Sequence, residues 1–130
     1  MANIIKINIY ADPSQPNPTL SLPDVPWYAG ITALQAMIIG EALHPSSFMF
    51  RVIYRSIYGA FIDSIDGLAD EDQPNHYWML YIDGDEAEVG ASESILLEDA
   101  NKTQVIIEWR YVDISGAAHT QAALKSRALP

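Results

Sequence analysis

Cysteine is absent from this 130-residue chain. That excludes disulfides and thiolate-bound metals and leaves the redox compartment open. Basic residues are scarce: seven Lys and Arg stand against seventeen Asp and Glu, for a net charge of −10. Phosphate recognition depends on clustered cations, so the reading is no nucleic-acid partner. No apolar run approaches the roughly 20 residues of a membrane span. Met1–Lys6 carries no basic segment followed by an apolar run, so no signal peptide is expected. As written the chain reads as cytoplasmic, or as extracellular had a signal been removed.

Recognisable catalytic and metal patterns are missing too. His44, His76 and His119 are far apart, and none belongs to a two-histidine metal spacing. Asp66-Gly67 lacks the alternating ligands and distal Glu of a calcium loop. Ser56, Ser64, Ser92 and Ser94 sit in no Gly-x-Ser-x-Gly elbow, and there is no Gly-rich phosphate loop. No metal site and no catalytic set is expected. Asp63, Asp66, Asp70, Glu71, Asp72, Asp83, Asp85, Glu86 and Glu88 read as a solvated acidic rim.

What is present is organised around Tyr77-Trp78-Met79-Leu80-Tyr81-Ile82-Asp83-Gly84. Six bulky residues run into a strong hairpin signal. Tyr77, Met79 and Tyr81 share one strand face, and Trp78, Leu80 and Ile82 the other. Neither face is polar, so one predicts the core and the other a second layer or a ligand. Ile5, Ile7 and Ile9 alternate with Lys6, Asn8 and Tyr10 in a strand over residues 3–10. Five prolines between Asp12 and Pro26 exclude a helix and allow a short edge strand around Thr19–Leu22.

Thr32-Ala33-Leu34-Gln35 is a capping box opening a helix that Pro45 stops near Leu43. Its spacing predicts Leu34, Met37, Ile38 and Ala42 on the core face. Phe48–Arg55 and Ala60–Ile65 read as strands separated by Tyr58-Gly59, Leu68–His76 as an acidic loop, and Ile95-Leu96-Leu97 as an apolar patch in a loop. The last strand, Gln104–Val112, turns Val105, Ile107, Trp109 and Tyr111 inward. These elements predict an α+β fold, β-grasp-like, with one main helix packed on a mixed or antiparallel sheet. Residues 1–112 form a single domain in this reading, and 113–130 an Ala-rich tail, either a docked helix or a frayed end.

Several spaced segments carry a resemblance. They are Gly30-Ile31-Thr32-Ala33-Leu34, Tyr58-Gly59-Ala60-Phe61-Ile62-Asp63-Ser64-Ile65-Asp66-Gly67, Tyr77–Gly84, Val89-Gly90-Ala91-Ser92 and Val105–Tyr111. Together they resemble the C-terminal domain of transcobalamin and intrinsic factor, whose free-standing bacterial relatives have no known function. The resemblance implies a β-grasp-like domain that, in the vitamin carriers, closes over one face of cobalamin. It also implies relatives that are often secreted.

The aromatic residues are the candidate ligand contacts: Trp27, Tyr58, Phe61, Tyr77 and Trp78, with His76 beside them. A flat apolar molecule can stack on such rings where a rigid sheet presents its loops. The leading expectation is a non-catalytic small-ligand-binding module, with cobalamin or another corrinoid as the ligand that the resemblance implies. It requires a concave patch of Tyr58, Tyr77 and Trp78. The alternatives are a protein-interaction domain or homodimer, which requires an exposed apolar surface, and a small cyclase-type enzyme acting on an apolar substrate. The enzyme would require a buried acid such as Asp63 or Glu108.

Overall fold

In this computed structural model the described residues are 4–12, 14–46, 48–55, 59–97 and 101–115. The strands are β1 (Ile4–Tyr10), β2 (Leu20–Pro26), β3 (Phe50–Arg55), β4 (Gly59–Ile65), β5 (Leu68–Ala69), β6 (His76–Ile82), β7 (Asp85–Glu86) and β8 (Gln104–Asp113). Among the described residues one α-helix, α1 (Ala33–Leu43), follows β2. The expected α+β architecture is present, with its strands divided between two sheets. The larger has the order β2-β1-β8-β6-β7, and the smaller β3-β4-β5. In the larger sheet β8 runs parallel to β1 and antiparallel to β6. A parallel central pair flanked by antiparallel neighbours, with the helix crossing one face, is the β-grasp arrangement.

The core lies between that sheet and a layer made of α1 and the smaller sheet. Ile5, Ile7 and Ile9 of β1, Val105, Ile107, Trp109 and Tyr111 of β8, and Trp78 and Leu80 of β6 face it. Ala33, Ala36 and Met37 meet them from α1, and Phe48, Ile62 and Ile65 from the smaller sheet. β2 continues four residues past its expected end and takes in Pro23 and Pro26. As an edge strand it can carry prolines, because one side of its backbone needs no ladder partner.

The helix starts where its capping box predicts. The Gln35 amide donates to Thr32 Oγ1 (3.2 Å), and the Thr32 amide donates to Gln35 Oε1 (2.9 Å). At its C-terminus the His44 amide donates to the Gly40 and Glu41 carbonyls, and His44 Nε2 lies 3.5 Å from Asp24. Its orientation differs from the expectation. Ala33, Ala36, Met37 and Gly40 face the core, whereas Ile38 is 52 % exposed and Ala42 is also on the surface. Only Gln35 and Glu41 are polar along this helix, so hydropathy barely distinguishes its faces. Size does. A Cβ on Gly40 would stand 3.1 Å from Leu22 Cδ1 and 3.3 Å from Ile7 Cδ1. The small residues at i, i+3 and i+7 let the helix approach the sheet closely.

Both Asp-Gly pairs form two-residue hairpin loops with positive φ at each position: 50° and 86° at Asp66-Gly67, and 48° and 92° at Asp83-Gly84. This is the geometry whose twist suits a hairpin. Each aspartate also grips a residue of a neighbouring segment from both sides. The Asp83 amide donates to the Ile106 carbonyl, and the Ile106 amide donates to the Asp83 carboxylate. Asp66 makes the same pair of bonds with Met49. Turn chemistry and sheet register are thus fixed by the same side chains.

The acidic stretch between β4 and β6 is not a free loop, since it opens with the Leu68–Ala69 strand and folds onto β6. Trp78 Nε1 donates to the Leu68 carbonyl (2.7 Å), and the Trp78 amide donates to Asp70 Oδ1 (2.7 Å). The Tyr111 hydroxyl donates to the Ala69 carbonyl (2.8 Å) and accepts from the Gln73 amide (3.1 Å). Burial pushes the pKa of that hydroxyl above its ordinary value. Trp109 contrasts with Trp78, since its buried indole N–H has no hydrogen-bond partner among the described residues. Trp78→Phe is therefore expected to cost about 1 kcal/mol more than Trp109→Phe, because it strands a partly buried carbonyl where the other removes a donor without a partner among the described residues. Urea denaturation of the two variants checks the order, and equal costs would refute it.

Candidate functional site

Three segments distant in sequence converge at the start of α1. Residues 27–32 lead into the helix, residues 91–97 run alongside, and β4 begins next to them. The Ala33 amide, one of the donors a helix start leaves without an internal partner, donates to the Ser94 carbonyl (2.8 Å). The Leu96 amide donates to the Ile31 carbonyl (2.9 Å), and Thr32 and Ile95 form a bridge. Trp27 Nε1 donates to the Leu96 carbonyl (2.8 Å), which places the half-buried indole against this segment.

The 91–97 segment opens with a 3₁₀ turn, Ala91–Glu93, that locks onto β4. Ser92 Oγ accepts from the Ala60 amide (2.8 Å). Gly59 has φ +85°, and a Cβ there would come within 2.6 Å of Ser92 Oγ and 2.8 Å of Glu93 Cγ. Gly59-Ala60 and Ser92-Glu93, from separate motifs in the sequence, are two halves of one joint.

This bonded framework holds apolar side chains out to solvent. Leu96 is buried, while its neighbours Ile95 and Leu97 are 53 % and 76 % exposed, and Tyr28 is 46 % exposed. Strand-like alternation over three residues explains the pattern, since the middle side chain alone turns inward. Chemically the surface offers dispersion and stacking on a preformed backbone. Among the described residues no group of three His, Asp or Glu side chains is placed to hold a metal ion.

A cleft of about 490 Å³ opens near the same end of the larger sheet. It lies between the Asp83-Gly84 turn and Asn101–Gln104, and Ile106 and Glu108 line it further along. Lys102 Nζ stands 3.6 Å from Asp83 Oδ2 with both side chains partly exposed, a pair of little energetic weight. Leu97 and Asn101 are four residues apart, which bounds their separation to about 14 Å.

The described residues among the six singled out in the sequence do not form one patch. Trp27 lies at the apolar end just described. Tyr58 is outside the described residues, although Gly59 next to it meets Ser92 there. Phe61 and Trp78 are buried, with 0 % and 1 % exposure, and offer a ligand no surface. The expected concave patch cannot include Trp78, because its indole is engaged in the core by Leu68.

His76 and Tyr77 sit at the opposite end. His76 pairs with Asp113, whereas Trp27 follows Pro26 in the row of Ile4 and Gln104. Nine residues of β8 separate the two rows, on the order of 30 Å. There the His76 ring stacks on Tyr111 (centroids 5.2 Å apart), and the Tyr77 hydroxyl donates to Glu71 Oε1 (2.6 Å). Asp63 and Glu108, the acids weighed for an enzyme, are engaged by Arg51 (3.0 Å) and Arg110 (2.7 Å). Tyr28, Ile95 and Leu97 were not among the sequence candidates. The only signal for Ile95 and Leu97 was an apolar triplet interrupting a loop, and Tyr28 had none.

A family model described as a domain of unknown function, DUF4430, matches residues 48–111, just under half of the chain. No curated protein matches. Among solved structures the chain is similar to haptocorrin in complex with Cbi, with a TM-score of 0.60 and 20 % identity over 85 % of this chain. The alignment covers 26 % of the haptocorrin chain, so this protein spans about a quarter of it. The likeness establishes a shared fold with that part of haptocorrin. A candidate metal-binding protein from Ruminococcus gnavus aligns over 86 % of this chain and 99 % of its own, at 13 % identity and a TM-score of 0.46.

Gly59→Ala is expected to cost about 2–4 kcal/mol, combining left-handed backbone strain with overpacking against Ser92. Gly67→Ala has a similar φ of +86° but nothing within 4 Å of the added Cβ. It should cost only about 1–2 kcal/mol. Equal losses in chemical denaturation would show that the joint with Ser92 tolerates a side chain.

Proposed function

We propose that this domain is a non-catalytic small-ligand-binding module, with a corrinoid as the ligand, and that it binds through the apolar end at the start of α1. The observation that carries the reading is the solvent-facing group of Tyr28, Ile95 and Leu97 beside Trp27, held on a backbone fixed by long-range hydrogen bonds. Such a surface gives a flat, largely apolar molecule contact area without an ordering cost on the protein side. The fold shared with haptocorrin, solved with Cbi, supports the choice of ligand class. The nearby cleft beside Asp83 and Lys102 adds polar groups suited to amide substituents on the ligand's rim.

The same exposure favours a second reading, in which a partner protein or a second copy of the chain covers this end. Light scattering separates the two, because a dimer dissociated by Leu97→Asp would favour the protein partner.

Titration with cobinamide and cobalamin, followed by tryptophan fluorescence and calorimetry, tests the ligand. Saturable binding tighter than about 10 μM, roughly −7 kcal/mol, is expected. Leu97→Asp alters an exposed residue and should leave the fold intact while weakening binding by about tenfold or more, at least 1.4 kcal/mol. Absence of saturable heat and quenching would overturn the corrinoid reading. Undiminished binding by the Leu97 variant would move the site elsewhere.

A further inference from the structure

The open edges of the two sheets are not alike. At the ends of the larger sheet, β2 carries Pro23 and Pro26, and β7 consists of the two acidic residues Asp85 and Glu86. In the smaller sheet β5 is two residues long as well. Proline, charge and shortness are devices that keep a sheet edge from pairing with another chain. β3 is the exception, with six residues, no proline and no acidic side chain. Among the described residues it pairs with β4 alone.

Alternation along a strand fixes which of its backbone groups point to the open side. Met49, just ahead of β3, exchanges two bonds with Asp66. Its carbonyl accepts from the Asp66 amide (2.9 Å), and its amide donates to the Asp66 carboxylate (2.9 Å). Arg51 and Ile53 turn the same way, toward β4, so the amides and carbonyls of Phe50, Val52 and Tyr54 face the open edge. The far end of the pair agrees. Ala60 lies opposite Tyr54, and its amide donates to Ser92 Oγ (2.8 Å) rather than to β3. Along this edge Tyr54 is 75 % exposed and Met49 61 %.

We propose that β3 pairs antiparallel with β3 of a second copy of this chain, with Val52 opposite Val52 on the two-fold axis. Outward-facing groups recur at every second residue, so the two edges can meet only in registers that differ by two. A shift by two in one direction sets Arg51 opposite the second Arg51, and in the other direction opposite Arg55. Like charges directly opposite destabilise a strand pair. The Val52-centred register avoids both. It sets Phe50 opposite Tyr54 twice, a favoured aromatic pair that covers the exposed Tyr54 ring, and Arg51 opposite Ile53. The Arg51 guanidinium is already met by Asp63 at 3.0 and 3.1 Å. Charge favours this contact over others, because residues 42–62 are the longest run of the sequence without an acidic residue. Two copies that each carry −10 repel least there. The product is a continuous six-stranded sheet, β5-β4-β3 joined to its copy through an isologous interface.

Sedimentation equilibrium and amide hydrogen exchange on the full chain test this pairing. A dimer is expected, in which the Phe50, Val52 and Tyr54 amides are protected at high protein concentration and lose that protection on dilution. The Arg51 and Ile53 amides, turned toward β4, should stay protected throughout. Tyr54→Pro removes one outward N–H and the ring that Phe50 meets, and should yield a monomer. Tyr54→Lys keeps the N–H and should weaken the dimer through loss of the same aromatic pair. An amide spectrum matching that of the parent protein outside β3 confirms that each variant is folded. A monomer at every concentration would overturn the proposal. So would a dimer that both Tyr54 variants leave intact and Leu97→Asp dissociates, which assigns the second copy to the apolar end. Edge protection that ignores concentration would overturn it too, giving the edge to a segment of the same chain such as the expected Ala-rich tail, whose residues 116–130 lie outside the described ones.

Discussion

The pairing of β1 with β8 is the constraint on which the rest of the structure rests. It joins residues 4–10 to residues 104–110 in parallel register and makes the last described strand the centre of the larger sheet. Closing a loop of about 100 residues costs roughly 4 kcal/mol beyond a constant. Val105, Ile107, Trp109 and Tyr111 are all buried by this placement, and burying each large apolar side chain contributes about 1.5–3 kcal/mol. The long-range pairing therefore wins through the side chains β8 brings to the core. Everything between the two strands, helix and smaller sheet included, is a connection that must return the chain to the same ladder.

Close approach of α1 to that sheet is the second condition, and it reaches the candidate site directly. With Gly40 against Leu22 and Ile7, the helix axis is fixed at one end, and the capping box fixes where it begins at the other. The donor left over at Ala33 is then satisfied by Ser94, which draws residues 91–97 alongside. Ile95 and Leu97 are exposed as a consequence of where Leu96 must go. Ser92 extends the same chain of constraints to Gly59. A surface built this way is as rigid as the helix start that supports it.

Much of the fold was legible in the sequence because its signals are local. The capping box at Thr32, the two Asp-Gly turns and the alternation in β1 and β8 each state a backbone requirement within a few residues. The inward face of α1 was less legible, because Ile38 and Ala42 are as apolar as the residues that are buried. The decisive property was the size of Ala33, Ala36 and Gly40, which matters only once Leu22 and Ile7 are opposite. The site was the least legible part. Aromatic character drew attention to Trp78 and Phe61, yet large rings are also what a core uses, and nothing local distinguishes the two fates. Tyr28 and Leu97 became conspicuous only after residues 69 positions apart, Trp27 and Leu96, were found hydrogen-bonded.

Parallel pairing of the outermost described strands also gives the molecule a polarity. Ile4 begins β1 in the row of Gln104, at the same end as Trp27 and the Asp83–Lys102 cleft, whereas β8 departs from the other end beside His76. A linker or surface tether attached ahead of β1 would crowd the apolar end and mask weak ligands. One attached beside His76 would present that end outward, so the choice of attachment point decides what an immobilised sample can detect.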